Sequence, residues 1–164
     1  MIDPRIREYE TRHDCRLLGR LGPGAGQDGF VQRSDRFTAV KFFDRADRFS
    51  RELEVYHVIN AELHQKGIHV VAGHNVPELM VEDRTLLAIE MTIVERPFVL
   101  DFAGAKRPEE VPDFEQHVLD DYIEHLKELF DSRWTDAIHV AEMFRQASGF
   151  VLLDVHPGNI AFGE

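Results

Sequence analysis

The stretch Gly24-Ala25-Gly26-Gln27-Asp28-Gly29-Phe30-Val31 is the place from which the fold is read. It has the spacing G-x-G-x-x-G-x-V. Glycine lacks a Cβ, so such a backbone can approach a triphosphate closely and aim its N–H groups at the oxygens. A dinucleotide-binding βαβ unit also carries glycines in this spacing, but there a helix follows them directly. Here Phe30-Val31-Gln32 reads as a strand. The glycines therefore join two strands, the first covering residues 15–21 and the second residues 29–33. Taken alone, the run is better read as an ordinary hairpin loop, and the flanking chain has to decide.

Downstream, Ser34-Asp35-Arg36 reads as a turn and residues 37–43 (FTAVKFF) as a third antiparallel strand, rich in β-branched and aromatic side chains. Lys41 stands alone among apolar neighbours on that strand, where a phosphate-binding lysine would sit. The alternative is a solvated strand lysine. A lysine held in such a place needs an anionic partner, and a helix follows at once. Phe49, Leu53, Tyr56, Ile59 and Leu63 recur at three and four, which is one helical face, and Gly67 ends the run. Glu52 and Glu54 are both within reach. Glu52 lies beside the apolar stripe and is preferred.

Val70-Val71 and residues 77–81 are expected to form a fourth strand and residues 84–93 a fifth, with a break at Glu95-Arg96-Pro97. Helical spacing returns over residues 113–130, with Asp113 as N-cap after Pro112. A second helix covers residues 134–147 and stops at Ser148-Gly149. This order predicts an α+β fold. An antiparallel five-stranded N-terminal lobe with one helix occupies residues 1–96, and a shorter helical part occupies residues 97–164.

The chain then reads Val151-Leu152-Leu153-Asp154-Val155-His156-Pro157-Gly158-Asn159. An aspartate at the end of an apolar strand can orient a hydroxyl nucleophile or accept its proton. An asparagine five residues later, past a Pro-Gly bend, can offer its carbonyl oxygen to Mg²⁺, which prefers hard oxygen donors. A purely structural Asx turn is the competing reading, and His156 is read as a side chain that stabilises the turn.

Taken in order, these stretches resemble the protein-kinase-like superfamily. The carriers are G-x-G-x-x-G-x-V at Gly24–Val31, A-V-K at Ala39–Lys41, the helix with Glu52, and D-x-x-x-x-N at Asp154–Asn159. The wording D-V-H-P-G-N is closer to aminoglycoside- and choline-type small-molecule kinases and to atypical bacterial kinases than to ordinary protein kinases. The resemblance implies ATP and Mg²⁺ as cofactors. Gly24, Gly26, Gly29 and Val31 would cover the nucleotide, Lys41 would contact its phosphates, and Glu52 would hold Lys41. Asp154 would be the catalytic aspartate and Asn159 a metal ligand. Residues 90–93 would be the hinge, with Glu90 and Met91 meeting adenine through backbone groups.

The family also places a second metal-binding aspartate, the D of D-F-G, on a strand just beyond the asparagine. Ala161-Phe162-Gly163 offers none. Three readings stay open on the sequence: a kinase acting on a hydroxyl acceptor, a pseudokinase that binds without catalysis, and a scaffold for a protein partner. A shortened helical part would leave apolar surface exposed, and homodimerisation is expected from that.

Composition sets the remaining bounds. The 164 residues carry 19 basic and 30 acidic side chains, a net charge of −11. Such a field repels nucleic-acid phosphates, so no nucleic-acid partner is expected. One cysteine, Cys15, cannot form an internal disulfide and fits a reducing compartment. The charged N-terminus lacks the apolar core of a signal peptide, and no run is long enough for a membrane helix. A cytoplasmic location without membrane partners is the expectation. The nine histidines show no zinc-site spacing.

Overall fold

The structure is a computed structural model and describes residues 3–21, 29–100 and 102–163. Its helices are α1 (Pro4–His13), α2 (Ala46–Gln65), α3 (Gln116–Phe130) and α4 (Trp134–Ser148). Its strands are β1 (Leu17–Arg20), β2 (Gly29–Ser34), β3 (Thr38–Phe43), β4 (Val70–Val71), β5 (His74–Asn75), β6 (Leu79–Asp83), β7 (Ala88–Thr92), β8 (Phe98–Val99), β9 (Ala105–Lys106), β10 (Val151–Leu152) and β11 (Ile160–Ala161). The chain falls into two compact units, residues 1–54 with 77–93, and residues 55–76 with 94–164. The division is therefore not a single cut near residue 96. The second half of α2 and the β4–β5 hairpin belong with the later chain, because β5 pairs with β8 and the Lys66 ammonium donates to the Ala147 carbonyl at 2.6 Å.

The first unit is built on an antiparallel five-stranded sheet in the order β1-β2-β3-β7-β6. Side chains alternate along β3, so the strand feeds two cores. Val40 and Phe42, both fully buried, face α1, where Phe42 lies 5.5 Å from the Tyr9 ring and 4.9 Å from the Phe30 ring. Ala39, Lys41 and Phe43 face the other way, where Phe43 meets Phe49 of α2 edge-on at 5.7 Å. In α2 the stripe Phe49, Leu53, Tyr56, Ile59 and Leu63 is buried throughout, as the spacing predicts.

Helix α1 has no counterpart in the sequence reading, because its apolar stripe is only Ile6 and Tyr9. It starts well locally: Asp3 caps it by accepting from the Arg5 N–H at 2.9 Å, and Pro4 occupies the first turn. What seats it is polar and long-range. Arg5 donates to the Phe43 carbonyl at 2.6 Å and pairs with Asp44 at 2.8 Å. The Tyr9 hydroxyl donates to Glu90 at 2.7 Å. Arg12 and His13 reach Asp83 at 3.0 and 2.9 Å.

Burial alone would push the Asp83 carboxyl up, but bonds from His13, the Leu86 N–H and Arg12 outweigh it and hold it below the ordinary range. A carboxyl depressed on folding adds stability above its unfolded value, and that stability is lost as the pH falls through the folded one. Asp83→Asn is expected to lower the unfolding midpoint at neutral pH. It should also flatten the decline of the midpoint below about pH 4, relative to wild type. Thermal unfolding followed by circular dichroism across pH checks both.

The second unit holds a four-stranded sheet in the order β11-β8-β5-β4 and the β9–β10 pair. Its core includes Phe102, fully buried, with its ring 4.8 Å from Tyr56 and 5.4 Å from Phe144. Two expectations change here. Val70-Val71 does not join residues 79–83 in one strand. It pairs with His74-Asn75 across a turn whose Ala72 and Gly73 both have positive φ. Helix α3 starts at Gln116 rather than at residue 113, with Glu115 at its cap making no side-chain cap bond, so Asp113 does not cap it. Along α3, Leu126 and Phe130 are buried while Val118, Leu119 and Leu129 stay 37–41% exposed. Gly149, at φ 78°, closes α4 in the left-handed conformation that favours glycine. Among the described residues no helix is long and apolar enough to cross a membrane.

Candidate functional site

In the first unit the chemistry centres on Lys41. It sits in mid-β3, opposite Val31 of β2 and Ile89 of β7. Its ammonium lies 2.8 Å from both carboxylate oxygens of Glu52, and the two side chains are only 15% and 5% exposed. The helix decides which glutamate this is. Glu52 is adjacent to the buried stripe and turns inward with it, whereas Glu54 is exposed. The Lys41 ammonium also stands 5.0 Å from the centre of the Phe43 ring. A charge pair so far out of water costs several kcal/mol in desolvation, which the geometry must repay. The two-oxygen contact is the arrangement that repays it best.

Gly24 and Gly26 lie outside the described residues. Gly29 is described, and its need for glycine comes from the sheet itself. Its φ is +129°, and a Cβ there would stand 1.8 Å from the Phe42 carbonyl oxygen. Gly29→Ala is expected to cost about 3 kcal/mol or more, through strained φ and a displaced β3. In a chain this long that lowers the melting temperature by roughly 6–12 °C, readable by calorimetry without any ligand.

Glu90 and Met91 are the residues named for the hinge. Both lie within β7, the strand flanked by β3 on one side and β6 on the other. Backbone in the interior of a sheet is committed to its ladders, and the chain leaves them only at Ile93. The Glu90 side chain is 2% exposed and takes the Tyr9 hydroxyl and the Thr38 hydroxyl as donors. Burial and that carboxylate push the Tyr9 phenol well above its ordinary value, so it stays a donor. Glu90 therefore anchors α1 to the sheet, a duty invisible in a linear reading.

In the second unit β10 delivers Asp154 to the surface, where its side chain is 67% exposed. The turn that follows is tightly built. The Gly158 N–H donates to His156 Nδ1 at 3.0 Å, which leaves the ring proton on Nε2, 3.6 Å from an Asp154 oxygen. The imidazole folds so closely over Gly158 that a Cβ there would meet it at 2.7 Å. His156 thus stabilises the turn. Asn159 is 6% exposed and fixed from several directions. Its Nδ2 donates to the Asp154 carbonyl at 2.9 Å, its N–H donates to the His156 carbonyl at 2.8 Å, and its carbonyl accepts from the Leu100 N–H at 2.7 Å.

That last bond extends the antiparallel pairing of β11 with β8, in which Ile160 faces Val99 and Ala161 faces Phe98. The strand beside β11 thus comes from upstream, before α3 and α4. A two-residue strand has no periodicity to reveal it, so the sequence reading missed it. Tyr122 of α3 is pushed upward by burial and also feels the Asp154 charge, so α3 contributes to the surroundings of that carboxylate. Among the described residues no group of three or more histidine, cysteine or acidic side chains is arranged to hold a metal on its own.

No protein-family model matches the chain, and no curated protein is similar to it. Among solved structures, the streptomycin–ATP–APH(2'')-IIa ternary complex is similar over 80% of this chain and 41% of its own, at 16% identity and a TM-score of 0.39. The chain thus spans less than half the length of that protein.

Proposed function

We propose that this chain binds ATP with Mg²⁺ and transfers the terminal phosphoryl group to a hydroxyl acceptor. The observation that carries the reading is the buried two-oxygen pairing of Lys41 with Glu52. It holds a cation rigidly on the sheet, as a lysine that orients phosphates must be held. Gly24, Gly26, Gly29 and Val31 would cover the nucleotide, and backbone from Ile93 onward would meet the base.

In the second unit Asp154 would orient the acceptor hydroxyl and take its proton. The donor chemistry there fits a hard cation. Asn159 uses its nitrogen on the Asp154 carbonyl, which turns its amide oxygen to other use. When bound, Mg²⁺ would neutralise charge on the transferring phosphates. Ala161-Phe162-Gly163 supplies no second carboxylate. A cytoplasmic setting accords with Cys15, whose thiol burial pushes upward, making it unreactive.

Thermal unfolding with and without Mg-ATP tests the binding half. A ligand specific for the folded state adds about 2.7 kcal/mol at a hundredfold excess over its dissociation constant. The shift is expected in wild type and absent in Lys41→Ala. No shift in wild type overturns the reading. A shift without phosphoryl transfer to any hydroxyl compound leaves a nucleotide-binding pseudokinase.

A further inference from the structure

We infer that Gly104 is a positioning residue for Asp154. It closes the 3-10 turn Phe102–Gly104, and the chain then enters β9. Strand β9 pairs with β10 so that Ala105 faces Leu152 and Lys106 faces Val151. Antiparallel register carries the turn to the end of β10, where Asp154 emerges. A Cβ at residue 104 would lie 3.3 Å from the Asp154 Cβ and 3.7 Å from its nitrogen. Gly104 is not in the left-handed region, so its backbone needs no glycine. What a side chain would meet there is Asp154.

The turn cannot back away. Phe102 is fully buried against Tyr56 and Phe144, and Ala105 is 2% exposed. On its other side Asp154 is held by its own carbonyl, which accepts from Asn159. Asp154 thus has a bare glycine backbone against its Cβ and the Asn159 amide on its carbonyl, which together fix where its side chain leaves the chain. A methyl group at residue 104 must move the aspartate by a few tenths of an ångström. Because a 1 Å misplacement costs roughly a hundredfold in rate, such a shift should cost several-fold to tenfold.

The assignment of a rate effect rests on the phosphoryl-transfer reading, so the test has an arm that does not. Gly104→Ala is compared with Gly163→Ala, whose added Cβ would make only an ordinary contact at 3.7 Å. The ¹³Cγ resonance of Asp154, identified by its loss in Asp154→Asn, is read at fixed pH in both. It should move in Gly104→Ala and not in Gly163→Ala. In an active enzyme kcat should fall several-fold or more for Gly104→Ala, with KM for ATP unchanged.

An unmoved Asp154 signal, or an unchanged kcat, overturns the inference. A moved signal in a protein without transferase activity upholds the positioning and sinks the phosphoryl-transfer reading instead. Should Gly104→Ala fold poorly, Asp154→Gly provides the second background. Removing the Asp154 Cβ should abolish the loss of melting temperature that Gly104→Ala causes, and an equal loss in both backgrounds counts against the contact.

Discussion

Asp154→Asn is expected to lower the rate of phosphoryl transfer by about 10²–10⁴-fold, the range for removing a positioned general base. The substitution keeps shape and size. The anchor to Asn159 runs through the Asp154 backbone carbonyl, so the turn should survive it. The side chain is mostly exposed, so the melting temperature should stay near that of wild type. The Mg-ATP shift should persist, since the lysine that would hold the phosphates lies in the other unit. Turnover of ATP against a panel of hydroxyl acceptors, with binding read separately by calorimetry, measures this. Undiminished turnover would remove Asp154 from the mechanism.

The second large effect separates the structural from the functional role of Lys41. Lys41→Met leaves the Glu52 carboxylate, 5% exposed, without the ammonium that meets both its oxygens. Breaking a buried pair from one side costs about 3–5 kcal/mol. Replacing both partners by apolar groups of similar volume is often nearly neutral. Lys41→Met/Glu52→Leu should therefore regain most of the stability lost in Lys41→Met. It should not regain the Mg-ATP shift, because the cation is gone. Urea unfolding of the two variants, with and without nucleotide, gives both answers. A double variant that binds Mg-ATP like wild type would show that Lys41 serves the fold alone.

The sequence by itself determined what is encoded locally. The β-branched and aromatic run over residues 37–43 marked β3, and the three-and-four spacing from Phe49 to Leu63 made α2 and turned Glu52 inward. Turn chemistry at Pro157-Gly158 put Asp154 and Asn159 at two ends of one bend. Each signal is carried by side chains a few residues apart, whose direction follows from helix or strand geometry.

Tertiary structure decided the rest. Helix α1 is seated by Arg5, Tyr9, Arg12 and His13 on partners 38 to 81 residues away. The committed backbone of Glu90 and Met91, the close approach that requires Gly29, and the pairing of β8 with β11 follow the same rule. Two-residue strands and single polar anchors have no period. Their partners are chosen only when the folded chain brings distant backbone and side-chain groups within hydrogen-bond reach, where leaving any of them buried and unpaired would cost more than the pairing does.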